Sequence, residues 1–101
     1  MPTFRDIDPG DLRLPPSRQD GAVPFRYHRQ VSAYGAATTG MPVIEVTAGR
    51  DGELMINNGV TRATRIHYLA PGQLVTVEIT EVKPKANFSK LLRVRDVAPP
   101  K

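Results

Sequence analysis

Apolar positions are sparse and unperiodic over the first 24 residues. Phe4, Ile7, Leu12, Leu14 and Val23 stand there among proline, aspartate and glycine. The Pro15-Pro16 doublet blocks both helix and central-strand pairing. This stretch reads as a Pro-rich lead-in with one short strand near Ile7 or Leu12. Within 26–38, Tyr27, Val31 and Tyr34 recur at i, i+4 and i+7, which predicts a helix with Gly35 as its irregular point. The β-branched run Pro42–Thr47 and the run Glu53–Asn57 flank Gly49-Arg50-Asp51-Gly52, a strong turn sequence. Together they predict a β-hairpin. Val60, Ala63, Ile66, His67 and Ala70 follow at near-helical spacing and stop at Pro71-Gly72, predicting a second helix. Leu74–Thr80 alternates as a strand closed by Pro84, and Phe88–Val94 suggests a short last helix. Residues 95–101, ending Pro-Pro-Lys, read as a frayed tail.

The pattern therefore predicts one domain over 1–101, of α+β class, with a small mixed β-sheet in the order β-α-β-β-α-β. A length of 101 residues agrees with one domain. Three Phe, three Tyr and no Trp leave the core to aliphatic side chains. The absence of cysteine excludes a disulfide scaffold, a thiolate zinc site and a cysteine nucleophile. No apolar run approaches the roughly 18 residues of a membrane span. The first residues lack a secretory signal. The expected location is cytoplasmic, with no membrane partner.

Charge changes the picture more than composition does. Residues 1–57 carry a net −1 and residues 58–101 a net +5. That asymmetry points to an anionic partner, or to no more than a solvated basic surface. Lys83, Lys85, Lys90, Arg93 and Arg95 form a basic run around Phe88, a candidate nucleic-acid contact. A solubilising edge explains the same run.

The sharpest local signal is the strand-to-helix junction Asn57–Arg65. Asn58 is placed to cap the helix through the amides of Val60 or Thr61. Gly59 admits a backbone conformation other residues resist. The first helical amides lack internal partners and carry the positive end of the dipole. Thr61 adds a hydroxyl, and Arg62 and Arg65 add guanidinium forks suited to phosphate oxygens. Asn58, Gly59, Thr61, Arg62 and Arg65 are thus the parts of a phosphate cradle. The plainer alternative is a capped helix with solvated arginines. Among the remaining candidates, His28 lies on the first helix as a conceivable general base. His67 falls on an apolar helical side and reads as a satisfied, partly buried histidine. Asp6, Asp8 and Asp11 read as loop acids and Asx turns rather than metal ligands. Glu45 and Glu53 read as cross-strand residues rather than an acid/base pair. No metal site is expected.

The order of elements and three segments resemble the ParB/sulfiredoxin-like superfamily. Met41–Val46 resembles its hairpin-opening strand, Leu54–Arg62 its signature strand-to-helix segment, and Gly72–Ile79 its closing strand. Ile7–Arg18 resembles its opening segment, so the likeness spans about residues 5–82. By position, Gly59 and Arg62 match the signature glycine and last arginine, and Asn58 stands where aspartate is common. Val60 occupies the place of the sulfiredoxin cysteine, which excludes that reductase chemistry. Val60 and Thr61 replace the Glu-Arg or His-His pair of the nucleotide-using and nuclease-like members. The resemblance implies a domain that binds a nucleotide or nucleic-acid phosphate, with a nucleoside triphosphate as the implied cofactor and weak nuclease or NTPase activity as its catalytic form. The stretch after Thr80 is too short for a ParB-type helix-turn-helix module, so sequence-specific DNA binding of that kind is not expected. The competing expectation is a non-catalytic protein-interaction module that uses an Arg-rich face on an acidic protein partner.

Overall fold

A computed structural model describes residues 2–101; the Met1 end of the expected domain lies outside them. The elements are β1 (Thr3–Ile7), α1 (Pro24–Tyr34), β2 (Ile44–Gly49), β3 (Leu54–Asn58), α2 (Val60–Leu69) and β4 (Val75–Lys83), with single 3-10 turns at Pro9–Asp11, Pro16–Arg18 and Val94–Asp96. They build a small α+β fold around a four-stranded mixed sheet in the order β1-β4-β2-β3. β4 runs antiparallel to β1 and parallel to β2, and β2–β3 is the expected antiparallel hairpin. α1 starts with Pro24, whose missing N–H costs nothing in a first turn, and ends at Gly35 with φ of 55°. β4 runs three residues past the expected strand, to Lys83, because β2 pairs with it as far as Gly49↔Lys83.

One face of the sheet carries the core. Ile44, Val46, Ile56 and Val77 are fully enclosed against Ala63 and Ile66 of α2. The other face is polar: Glu45, Glu78 and Asp6 alternate with the inward residues, as expected of a sheet wetted on one side.

Two segments differ from the sequence expectation. The lead-in is built into the core, with Leu12 at 0 % and Leu14 at 1 % exposure. Arg13 exchanges backbone hydrogen bonds with Leu54 and Ile56 of β3, while Leu12 and Leu14 pair with Val94 and Leu92. Residues 12–14 thus cover the outer edge of β3, which would otherwise present unpaired donors and acceptors. The helix expected over Phe88–Val94 does not form. The Asp51 carboxylate instead accepts from the amides of Phe88 (2.8 Å) and Ser89 (2.9 Å), as well as Glu53. Those amides are committed to the hairpin turn, and Phe88 is buried beside it. Beyond Val94, Asp96 accepts from the Arg93 amide, Arg95 is paired to Asp11, and Val97 packs against the core. These contacts replace the frayed end that the Pro-Pro-Lys ending suggests.

Desolvation would raise the exposed Asp51 carboxyl, but the backbone amides outweigh it and hold the group below its ordinary value. A depressed folded value stabilises the fold above the ordinary value, and that stabilisation is lost as pH falls through the folded one. Asp51→Ala should therefore lower the urea midpoint at about pH 5, with the gap from wild type closing toward about pH 2. A gap that persists in acid would show the anchor to be something other than the ionised carboxylate.

Candidate functional site

A cleft of about 520 Å³ opens between α1, the 35–42 loop and the start of α2. All five cradle residues line it: Asn58, Gly59, Thr61, Arg62 and Arg65. Its wall also takes Arg18 from the lead-in and Arg26 from α1, and it contains no aspartate, glutamate or histidine. Four guanidinium groups thus face one concavity without a carboxylate among them.

The cradle residues converge, but not in the expected roles. Gly59, not Asn58, is the N-cap of α2, at φ of 121°, and no side chain caps the helix. Only glycine is at ease there: a Cβ would lie 3.0 Å from Ile44 Cγ1 as well as on a left-handed backbone. The first amides of α2 are therefore left without a side-chain partner beside the cleft. The Asn58 side chain turns the other way, donating to Glu45 Oε2 (3.2 Å) and accepting from Arg62 Nη2 (3.1 Å). Position 58 is the last residue of β3, opposite Glu45, so its side chain follows the sheet pleat rather than the helix.

Arg62 donates through Nη1 to the carbonyls of Pro42 (3.0 Å) and Val43 (3.2 Å). Burial pushes its guanidinium below the ordinary value, and Glu45 pulls it back up. Its Nε–H and one Nη2–H keep no partner among the described residues. Arg65 is more committed. It is 1 % exposed and donates to Gly35 O and Ala37 O, both at 2.8 Å, with Gln30 Oε1 and Met41 Sδ nearby. The Tyr34 ring lies 5.6 Å from its guanidinium carbon. Burial lowers its pKa, and Tyr34 and Tyr27 raise it. Arg65 is a staple for the α1–β2 loop rather than an open ligand.

The free cations of the cleft are the two that sequence reasoning missed. Arg18 makes one side-chain bond, to its neighbour Ser17 O. Arg26 is exposed and engages no ion pair or hydrogen bond among the described residues. A signal for Arg26 was present: no acidic residue occurs between Asp20 and Glu45.

The basic C-terminal run stands apart. Lys83 pairs with Gly49 at the hairpin end of β2, whereas the cleft lies at its Ile44 end. Five residues of strand separate them, about 17 Å. Arg95 is paired with Asp11 and also donates to Gly10 O, while Arg93 faces Asp96 at 3.6 Å. Lys83, Lys85 and Lys90 are exposed. The structure therefore divides this run between ion-paired arginines and open lysines, and joins neither to the cleft.

Neither histidine enters the cleft. His28 contacts the backbone oxygen of Lys101. His67 is half-buried over Gly10, with Nδ1 3.7 Å from Asp8 Oδ1 and no hydrogen-bond partner, so it is less satisfied than its apolar helical side implied. Asp8 closes the expected Asx turn by accepting from the Gly10 amide, and Glu53 pairs with Arg13 at 2.7 Å. Among the described residues no cluster of His, Cys, Asp and Glu could hold a metal ion, and no helix is long and apolar enough to cross a membrane. Compared with known protein families, with curated proteins and with solved structures, the chain matches none.

Proposed function

We propose that this domain recognises a phosphate group, carried by a nucleotide or a nucleic acid, in the cleft between α1 and α2. The observation that carries the reading is the cleft wall itself: four arginines, no carboxylate and an uncapped helix start. Helix-start amides and guanidinium groups both favour an anion. The likeness of Asn58-Gly59-Val60-Thr61-Arg62 to the signature of ParB/sulfiredoxin-like domains, with the order β-α-β-β-α-β, supports the same reading. Within it, Arg18 and Arg26 contact the anion together with the amides of Val60 and Thr61 and the Thr61 hydroxyl. Arg62 contributes its remaining N–H groups, and Arg65 holds the loop that forms one wall.

The reading is of binding without turnover. The wall offers no carboxylate, histidine or cysteine to move a proton at neutral pH. An amide-shift titration with pyrophosphate, CTP and a short DNA duplex, at low and moderate salt, tests it. Saturable shifts centred on Gly59–Arg62 are expected, with an affinity of about 1 mM or tighter. Shifts confined to Lys83–Lys90, or none, would overturn the reading, and none would leave a protein partner as the better search.

A further inference from the structure

We propose that the basic surface continues from the cleft along the exposed side of α1, and that this track binds single-stranded nucleic acid. The inference rests on the anion cleft proposed above and extends it from one phosphate to a chain of them. Both helices and the loop between α1 and β2 lie in two stretches without acidic residues, from Gly21 to Ile44 and from Leu54 to Val77. The solvent face of the sheet differs from this: Glu45 and Glu78 are register partners there. Along α1 and the loop that follows it no acidic residue opposes the arginines, and a polyanion is steered to that surface.

α1 is suited to receive it. Of its residues only Tyr27 is buried, so most of the helix surface is open. Arg26 and Arg29 stand one turn apart, both exposed, and Arg29 has no ion-pair partner among the described residues. Arg26 borders the cleft, and Arg29 carries the positive row around the helix away from it. Two aromatic rings flank this row. Phe25, one turn before Arg29, is 73 % exposed, and Tyr34 at the cleft mouth is 61 % exposed. Flat exposed rings along a cationic row are what unstacked bases and their phosphates fit. A duplex hides its base faces.

Anisotropy of a labelled 12-mer of thymidine, with the full chain, tests the track. Binding should weaken with salt with a log–log slope of about −2, from three arginines on a single strand. Arg29→Ala should weaken it about fivefold and reduce the slope, and Phe25→Ala about fivefold to tenfold. Both variants should leave the pyrophosphate shifts at Gly59–Arg62 unchanged, since neither residue lines the cleft. An oligonucleotide indifferent to both substitutions overturns the track while leaving the cleft standing. Oligonucleotide binding that depends on Phe25 and Arg29 without any pyrophosphate shift supports the track and overturns the cleft. A duplex of equal length that binds more tightly, or a poly-glutamate that competes equally, overturns the single-stranded assignment.

Discussion

Arg65→Ala is expected to lower the stability of the fold by about 3 kcal/mol, read as a fall of about 1–2 M in the urea midpoint. The guanidinium donates to two loop carbonyls at 2.8 Å from a position that is 1 % exposed. Charge-assisted hydrogen bonds of this kind contribute about 1.5–3 kcal/mol each. Part of that is offset, because removing a buried cation also removes its desolvation cost. The truncation also leaves a void beside Tyr34 and Met41 that the surroundings fill incompletely. Amide exchange over residues 36–41 should rise sharply, since Gly35, Ala37 and Met41 lose their common anchor. Arg65→Lys should recover less than half of the loss, because an ammonium has no planar fork to reach separate acceptors. Had Arg65 been an open phosphate ligand, truncation would move stability by no more than about 0.5 kcal/mol. The two roles are thus separated by the size of the stability change alone.

That contrast also marks the limit of what the residues reveal unaided. The hairpin, both helices and the glycine at the β3–α2 junction are legible because each rests on local chemistry. Gly49–Gly52 makes the turn, Pro71 follows the second helix, and Gly59 takes a backbone angle closed to other residues, while the first helix, expected within 26–38, runs Pro24–Tyr34 and stops at Gly35. What was not legible is set by distant partners. Leu12 and Leu14 sit in the core because Arg13 between them pairs with β3 and their own backbone pairs with residues 92–94, far along the chain. Phe88–Val94 has helical spacing, but Asp51 takes its first amides. Helical position alone puts Arg62 and Arg65 near the junction; it does not say which way a guanidinium turns. Both turn toward loop carbonyls within reach, Arg65 from a buried position and Arg62 with N–H groups left over. Arg18 and Arg26 come from segments far from the motif, and only folding brings them to it.

The double substitution Arg18→Ala with Arg26→Ala is expected to weaken pyrophosphate binding by up to about 100-fold, beyond the measurable range for a site near 1 mM. Each arginine is assigned a factor of about ten, equivalent to about 1.4 kcal/mol, the low end for a charged hydrogen bond because the cleft is open. The product of these factors is the upper value, since Arg18 in a 3-10 turn of the lead-in and Arg26 on α1 share one anion as partner. Stability should change by no more than about 0.5 kcal/mol, because neither guanidinium holds a distant part of the chain. Lys83→Ala with Lys85→Ala removes the same formal charge from the other end of the sheet. It should change the affinity less than about twofold at a salt concentration where the screening length is roughly 10 Å. Equal effects of the two pairs would mean that net charge, not the cleft, governs the anion. Loss confined to the arginine pair would tie the anion to the cleft beside the start of α2, where no side chain caps the first amides.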